Sequence, residues 1–253
     1  MVGTRWAAIA LAVALAGCSK DSGPAGSGGA GGAGGAQGGG AGGAGGAAAP
    51  VETAFVTTVA AIRKQPSDAK QVDDPSGKKV NNWVATLSRG EKVTLLKTQE
   101  DWVMVRASDE SEGWLKKNTL LPASGASEAA VLVESDTFDR PDITTIKGGS
   151  KLAAGTLVFI TKSKDAFREV NTGAWAPVWV PADKLTEDAK EVTVAKLIAK
   201  ARYLTKEKGG AGVDALVAVA KSQLGDAKLL PILTGDAAGA GEVKTGTSAA
   251  AAP

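Results

Sequence analysis

The chain has no histidine and a single cysteine, Cys18, in 253 residues. Those gaps remove whole classes of chemistry. A thiol–imidazole pair, a Ser-His-Asp triad, a disulfide framework and a multi-His or multi-Cys metal centre each need residues that one chain does not possess. Charge of one sign is lacking too: the formal net charge is +2, and loss of an N-terminal leader would remove Arg5. A near-neutral chain has no basic field to draw in nucleic acid. Long apolar runs are missing as well. The run near the N-terminus, Trp6 to Ala16, falls well short of the roughly 20 residues that a membrane-spanning helix needs.

What that run offers instead is a leader. Arg5 precedes WAAIALAVALA, the charged-then-apolar order of a cleavable export signal. Leu15-Ala16-Gly17-Cys18 at its end resembles the lipobox of bacterial lipoproteins. The resemblance implies that residues 1–17 are a signal peptide and that Cys18 becomes the acylated first residue; an ordinary secretory peptide with a chance cysteine is the alternative. Buried acyl chains contribute about 0.8 kcal/mol per methylene, so several chains on one cysteine hold a protein durably on a membrane. The implied location is the bacterial cell envelope outside the cytoplasm. Ser19 and Lys20 point to the outer membrane, facing the periplasm, under enterobacterial sorting. Residues 18–50 follow as a tether, almost entirely Gly and Ala from Ser22 to Pro50. Such a stretch has no side chains to repay its ordering entropy, and its root-mean-square reach is roughly 30 Å.

The centre of the chain repeats itself. LSRGEKVTLLKTQEDWVMVRASDESEGWLKKNTL, from Leu87 to Leu120, shifted by 65 residues without a gap meets LAAGTLVFITKSKDAFREVNTGAWAPVWVPADKL, from Leu152 to Leu185. Leu87, Gly90, Val93, Val105, Trp114 and Leu120 each meet their own residue type, while Trp102 meets Phe167 and Leu115 meets Val180. Identity held at apolar and glycine positions, with polar positions free to differ, is what a shared core under a changed surface leaves behind. Trp83–Leu87, Lys92–Lys97 and Trp102–Arg106 read as short strands separated by Gly, Asp and Ser, and Phe55 to Ile62 as a looser one. Arg63 to Asn82 reads as a long surface loop, with a turn at Asp73-Asp74-Pro75-Ser76-Gly77. Short strands at such intervals favour a small all-β barrel or sandwich over a βαβ fold.

Ile62-Arg63, Pro66, Leu87-x-x-Gly90-x-x-Val93-x-Leu95, Asp101-Trp102-x-x-Val105 and Gly113-Trp114-Leu115 resemble the pattern of bacterial SH3 domains. The likeness departs at Gln65, where that family prefers Gly, and in the insertion between Pro66 and Trp83. In the second copy Val178-Trp179-Val180 stands for Gly-Trp-Val, and Arg140-Pro141 is the nearest match to the opening. The resemblance implies a mainly β chain: two tandem small SH3-like β-barrels, at residues 51–122 and 129–186.

After Thr186 the apolar period changes to about 3.6. Val194, Leu197, Ile198, Ala201 and Leu204 make one stripe, ended by Gly209-Gly210; Val213, Leu216, Val217, Ala220 and Leu224 make a second, ended by Gly225. The reading is an α-helical hairpin over residues 187–235, appended to two small cores, with Pro231 interfering with any further turn. Residues 236–253 read as a disordered Ala/Gly tail without core residues.

Candidate ligand-binding residues are Trp102, Phe167 and Trp175. In an unbulged strand Trp102 points away from Val105, and Phe167 away from Val170, so one face is the core and the other covers something. Internal packing is the simpler destination for such rings. Trp175 has no aromatic counterpart, since Glu110 stands at its repeat position, and it comes shortly after Gly173 in a stretch that reads as a loop. Asp109-Glu110-Ser111-Glu112 and the set Asp136, Asp139 and Asp142 lack the spacing of a calcium loop, and solvated turns explain them better. No cofactor is implied. The SH3 resemblance implies a non-catalytic module that binds peptidoglycan or its peptides. A scaffold that binds another envelope protein is the alternative, and a hydrolase with a carboxylate or Ser-Lys site is the third reading.

Overall fold

The computed structural model describes residues 52–173 and 176–236. Cys18 and the lipobox, the tether to Val51, Trp175, and the tail from Ala237 lie outside the described residues. The fold is mainly β: two curled seven-stranded antiparallel sheets, a separate two-stranded hairpin, and three helices at the C-terminal end.

The first sheet comprises β1 (Thr53–Val56), β2 (Ala60–Arg63), β5 (Trp83–Leu87), β6 (Lys92–Gln99), β7 (Trp102–Arg106), β8 (Glu112–Lys116) and β9 (Leu120–Pro122). The second comprises β10 (Ser127–Val131), β11 (Ser135–Phe138), β12 (Ile146–Leu152), β13 (Leu157–Lys164), β14 (Phe167–Asn171), β15 (Val178–Pro181) and β16 (Leu185–Thr186). Their orders, β5-β2-β8-β7-β6-β1-β9 and β12-β11-β15-β14-β13-β10-β16, are the same order written for two copies.

Strand registers carry the equivalence upstream of where the sequence shows it. Val93 and Val158, 65 residues apart, pair with Ala54 and Ala129, which are 75 apart. Trp114 and Trp179 likewise pair with Arg63 and Phe138. The counterpart of Ile62-Arg63 is therefore Thr137-Phe138, not Arg140-Pro141. The ten-residue difference between the two offsets is an insertion in the first copy between β2 and β5, and it carries the hairpin of β3 (Gln71–Asp73) and β4 (Lys79–Asn81). The stretch expected as one loop is thus partly strand, closed by Asp74, whose carboxylate accepts from the Ser76 and Lys78 amides.

Two local departures have register as their cause. Phe55 to Ile62 is two strands because the chain leaves the sheet after Val56, where the Thr57 amide donates to the Thr119 carbonyl. Strict alternation along β5 would put Trp83 on the same face as the buried Leu87, yet Trp83 is 51% exposed. A register shift between Ile62 and Arg63 displaces the end of β5, and the indole Nε1 is satisfied by Thr86 Oγ1 at 3.1 Å.

Each sheet closes on its own core, and equivalent positions fill both. Val56 and Val131, Val93 and Val158, Val105 and Val170, and Leu115 and Val180 are each at most 2% exposed. A third core joins everything else: Phe55, Ala130, Leu157 and Phe159 from the sheets meet Val194, Ala195, Ile198, Leu229 and Leu233 from the helical segment. The helices are therefore not an appendage to two small cores, and the described residues form one compact unit. Gly90 and Gly155 occupy the same turn in the two copies, at φ +85° and +75°. A Cβ on Gly90 would lie 2.6 Å from Leu157, and one on Gly155 2.6 Å from Ile198. At both turns the next segment of the chain comes down onto bare backbone.

Helix α1 (Ala189–Lys208) starts at Asp188, whose side chain accepts from the Lys190 and Glu191 amides, and stops at Gly209 in the left-handed region. Helix α2 (Val213–Gln223) and the short α3 (Leu230–Thr234) pack against it. Pro231, expected to interfere, lies in the first turn of α3, where the missing N–H has no intrahelical partner to lose. Glu191, 7% exposed, accepts from the Lys228 and Leu229 amides at 2.6 and 3.0 Å and so fixes the approach to α3.

Candidate functional site

In β7 the side chains of Val103 and Val105 enter the first core, so Trp102 faces the other way. It is 8% exposed yet belongs to none of the three cores. Its covering is polar. Trp102 pairs in register with Lys116 of β8, which places the Lys116 ammonium 5.6 Å from the centre of the indole. The ammonium in turn meets Asp68 Oδ2 at 2.7 Å.

Asp68 reaches this position because of Asn82, which is fully buried. The Asn82 amide group donates to the Ser67 and Ala69 carbonyls at 2.9 and 3.1 Å, and its Oδ1 accepts from the Gln65 amide at 2.9 Å. Its backbone adds bonds to Lys64 and Lys70. One side chain therefore fixes the segment from residue 64 to residue 70 as a bracket over the tryptophan. Two depressions flank the ring. One of about 120 Å³ is lined by Ala61, Arg63, Asp68, Trp102 and Lys116; the other, of about 530 Å³, by Asp68, Asp101, Trp102, Lys117 and Asn118. The half-buried Arg63 has no ion-pair partner among the described residues.

The second copy keeps the frame and changes every one of these groups. Phe167 stands for Trp102, Pro181 for Lys116, Phe138 for Arg63, Ala166 for Asp101 and Ala182 for Lys117, and the bracket is missing. Phe138 meets Phe167 edge to face at 5.4 Å and 79°, and both rings are buried. The ring is covered by charged groups in the first copy and by a second aromatic ring in the second.

Of the aromatic residues singled out in the sequence, Trp102 lines this site, Phe167 is closed over by Phe138, and Trp175 lies outside the described residues. Arg63, Asp68, Asn82 and Lys116 were not singled out. The available signal was the insertion between Pro66 and Trp83, together with the position of Lys116 opposite Trp102 once β7 and β8 are paired.

The acidic sets serve turns and surface pairs. Asp109 accepts from the Ser111 amide at 3.0 Å, and hydrogen bonds from Ser111 hold its carboxyl below the usual range. Asp142 does the same for Thr144, while Asp136 and Asp139 meet Lys151 and Lys147. Among the described residues no three His, Cys, Asp or Glu side chains are placed to hold a metal ion, and no helix is long and apolar enough to cross a membrane. A separate trough of about 630 Å³ runs between the helices, lined mainly by Ile198, Ala201, Arg202, Val213 and Ile232.

No protein-family model matches the sequence, and no curated protein is similar to it. Among solved structures the chain is similar to NlpC2 from Trichomonas vaginalis, at 16% identity and a TM-score of 0.22 over 55% of this chain and 49% of that one. It is also similar to NlpC1 from the same organism, at 16% identity and a TM-score of 0.22 over 54% and 45%. An NlpC/P60 family protein from Bacillus cereus shares 14% identity at a TM-score of 0.29, over 53% of this chain and 55% of that one. The matched regions span about half the length of those chains.

Proposed function

We propose that this chain is a non-catalytic binding protein of the bacterial cell envelope. In this reading acylated Cys18 anchors it in the membrane, with the outer membrane preferred, and residues 18–50 are the leash. The two copies, at residues 51–122 and 129–186, are SH3-like units, and residues 187–235 are a helical element that braces them. The ligand is peptidoglycan or its peptides, and it is bound at the Trp102 face of the first unit.

The observation that supports this reading is the divergence of the two copies at one place. Val56, Val93, Val105 and Leu115 match Val131, Val158, Val170 and Val180 in the two cores, while the groups around Trp102 are charged and partly exposed and those around Phe167 are apolar. A duplicated frame that retains a nearly buried tryptophan under a polar, displaceable cover is suited to stacking on a ligand.

Two measurements test it. A residues 51–253 fragment is expected to sediment with purified cell-wall sacs, and Trp102→Ala is expected to weaken that by tenfold or more, about 1.4 kcal/mol, with the fold intact by circular dichroism. No sedimentation, with an envelope protein recovered stoichiometrically after crosslinking, would favour the scaffold reading, for which the helical trough is the available surface. In cells, Cys18→Ser is expected to abolish labelling by fatty acid; retained labelling would remove the anchor.

A further inference from the structure

We propose that the Trp102 site takes a carboxylate, and that Asp68 is a built-in stand-in which holds the anion position until a ligand carboxylate displaces it. The proposal rests on the reading of Trp102 as the binding face and adds the chemistry of what binds there.

Arg63, Lys116 and Lys117 line the two depressions against Asp68 and Asp101. Arg63 has no anionic partner among the described residues, so its planar fork is available for bidentate contact with a carboxylate. Lys116 does have an anion, but one supplied by the inserted bracket, and the frame itself provides none at that point. The second copy lacks both the cations and the bracket, as expected if they form one functional set.

Asp68 and Lys116 have side chains 66% and 43% exposed, and an ion pair of that exposure contributes little to stability. The bracket is held by Asn82, which bonds residues on either side of Asp68, and not by the ion pair. Asp68 can therefore release Lys116 without unfolding the bracket. A ligand carboxylate placed between Arg63 and Lys116 then gains two cations where Asp68 held one, and its apolar part rests on the indole.

The test uses the full chain and three probe peptides: acetyl-alanyl-alanine as the free acid, the same peptide as its C-terminal amide, and acetyl-glutamyl-alanine amide. Binding is read by titration calorimetry and by the Trp102 indole resonance. The free acid is expected to bind at least tenfold more tightly than its amide. Asp68→Asn is expected to strengthen binding of the free acid by threefold or more, because it removes the competitor, and Arg63→Gln to weaken it tenfold. If Arg63→Gln fails to fold, Lys116→Gln is the replacement. Binding of the glutamyl amide in place of the alanyl acid would assign the carboxylate to a side chain and not to a chain end. Equal binding of acid and amide, or unchanged or weaker binding in Asp68→Asn, would overturn the proposal. Should wild type sediment with wall sacs while these peptides fail, the envelope reading stands and the carboxylate proposal falls. Carboxylate binding enhanced by Asp68→Asn, without sedimentation, would leave the proposal and remove the wall.

Discussion

Phe159→Ala is expected to destabilise the protein by about 3–5 kcal/mol, the usual cost of emptying a buried phenylalanine site. Phe159 is fully buried and stacks on Phe55 at 5.4 Å and 27°. The two rings come from different sheets, and the same core takes in Val194, Ala195 and Ile198 of α1. A cavity here has walls on three elements, so no one of them can collapse to fill it without moving away from another. At roughly 2–4 °C per kcal/mol for a folded body of this size, the melting temperature should fall by about 10 °C. Calorimetry checks this. A loss below 1 kcal/mol, or a wild type in which the sheets melt independently, would show that the shared core is not what couples them.

Arg89→Ala is expected to cost about 3 kcal/mol, from two charge-assisted hydrogen bonds of roughly 1.5–3 kcal/mol each less the relief of burying a cation. Arg89 lies in the turn before Gly90 of the first sheet. It donates to the Thr172 carbonyl and, at 2.7 Å, to the Leu157 carbonyl of the second, with its guanidinium 5.6 Å from the centre of Phe159. Burial pulls its pKa down to about 10, so the group is still protonated at neutral pH. Proton linkage then adds no pH dependence near neutrality: the native and unfolded states both hold this proton there, and they differ only from about pH 10 upward. Denaturant melts of wild type and variant should therefore stay parallel between pH 6 and 9. A double-mutant cycle with Phe159→Ala is expected to show coupling of about 1 kcal/mol, since the cation loses its ring face. Strict additivity would place the effect of Arg89 in its hydrogen bonds alone.

Much of this architecture was legible because it repeats. Leu87, Val93, Val105 and Leu120 meet identical partners at a fixed offset, and alternation alone places them inward. The end of α1 was legible for a different reason, since Gly209 adopts the left-handed conformation that few other residues accept at a helix end. The upstream half of the second copy was not legible, because its offset is 75 instead of 65 and two of its core positions are alanines. Ala129 and Ala130 pack well but give no pattern to align. Of the site, Trp102 was visible as an aromatic on the wrong side of a strand. Its neighbours were not, because Arg63, Asp68 and Lys116 are separated by up to 53 positions and meet only through strand pairing and the Asn82 bracket.

By itself, then, the sequence marked the apolar positions that repeat between the copies and the glycines that end α1, and with no histidine and one cysteine it left a single chain without a triad or a thiol–imidazole pair. These follow from periodicity and composition, which act over a few residues at a time. The tertiary structure decided what covers each sheet, that Phe55, Phe159 and α1 share one core, and that the aromatic ring is covered by charged groups in one copy and by another ring in the other. Those depend on register across strands distant in sequence. A single shifted residue there changes which side chain faces which, and no local pattern records that choice.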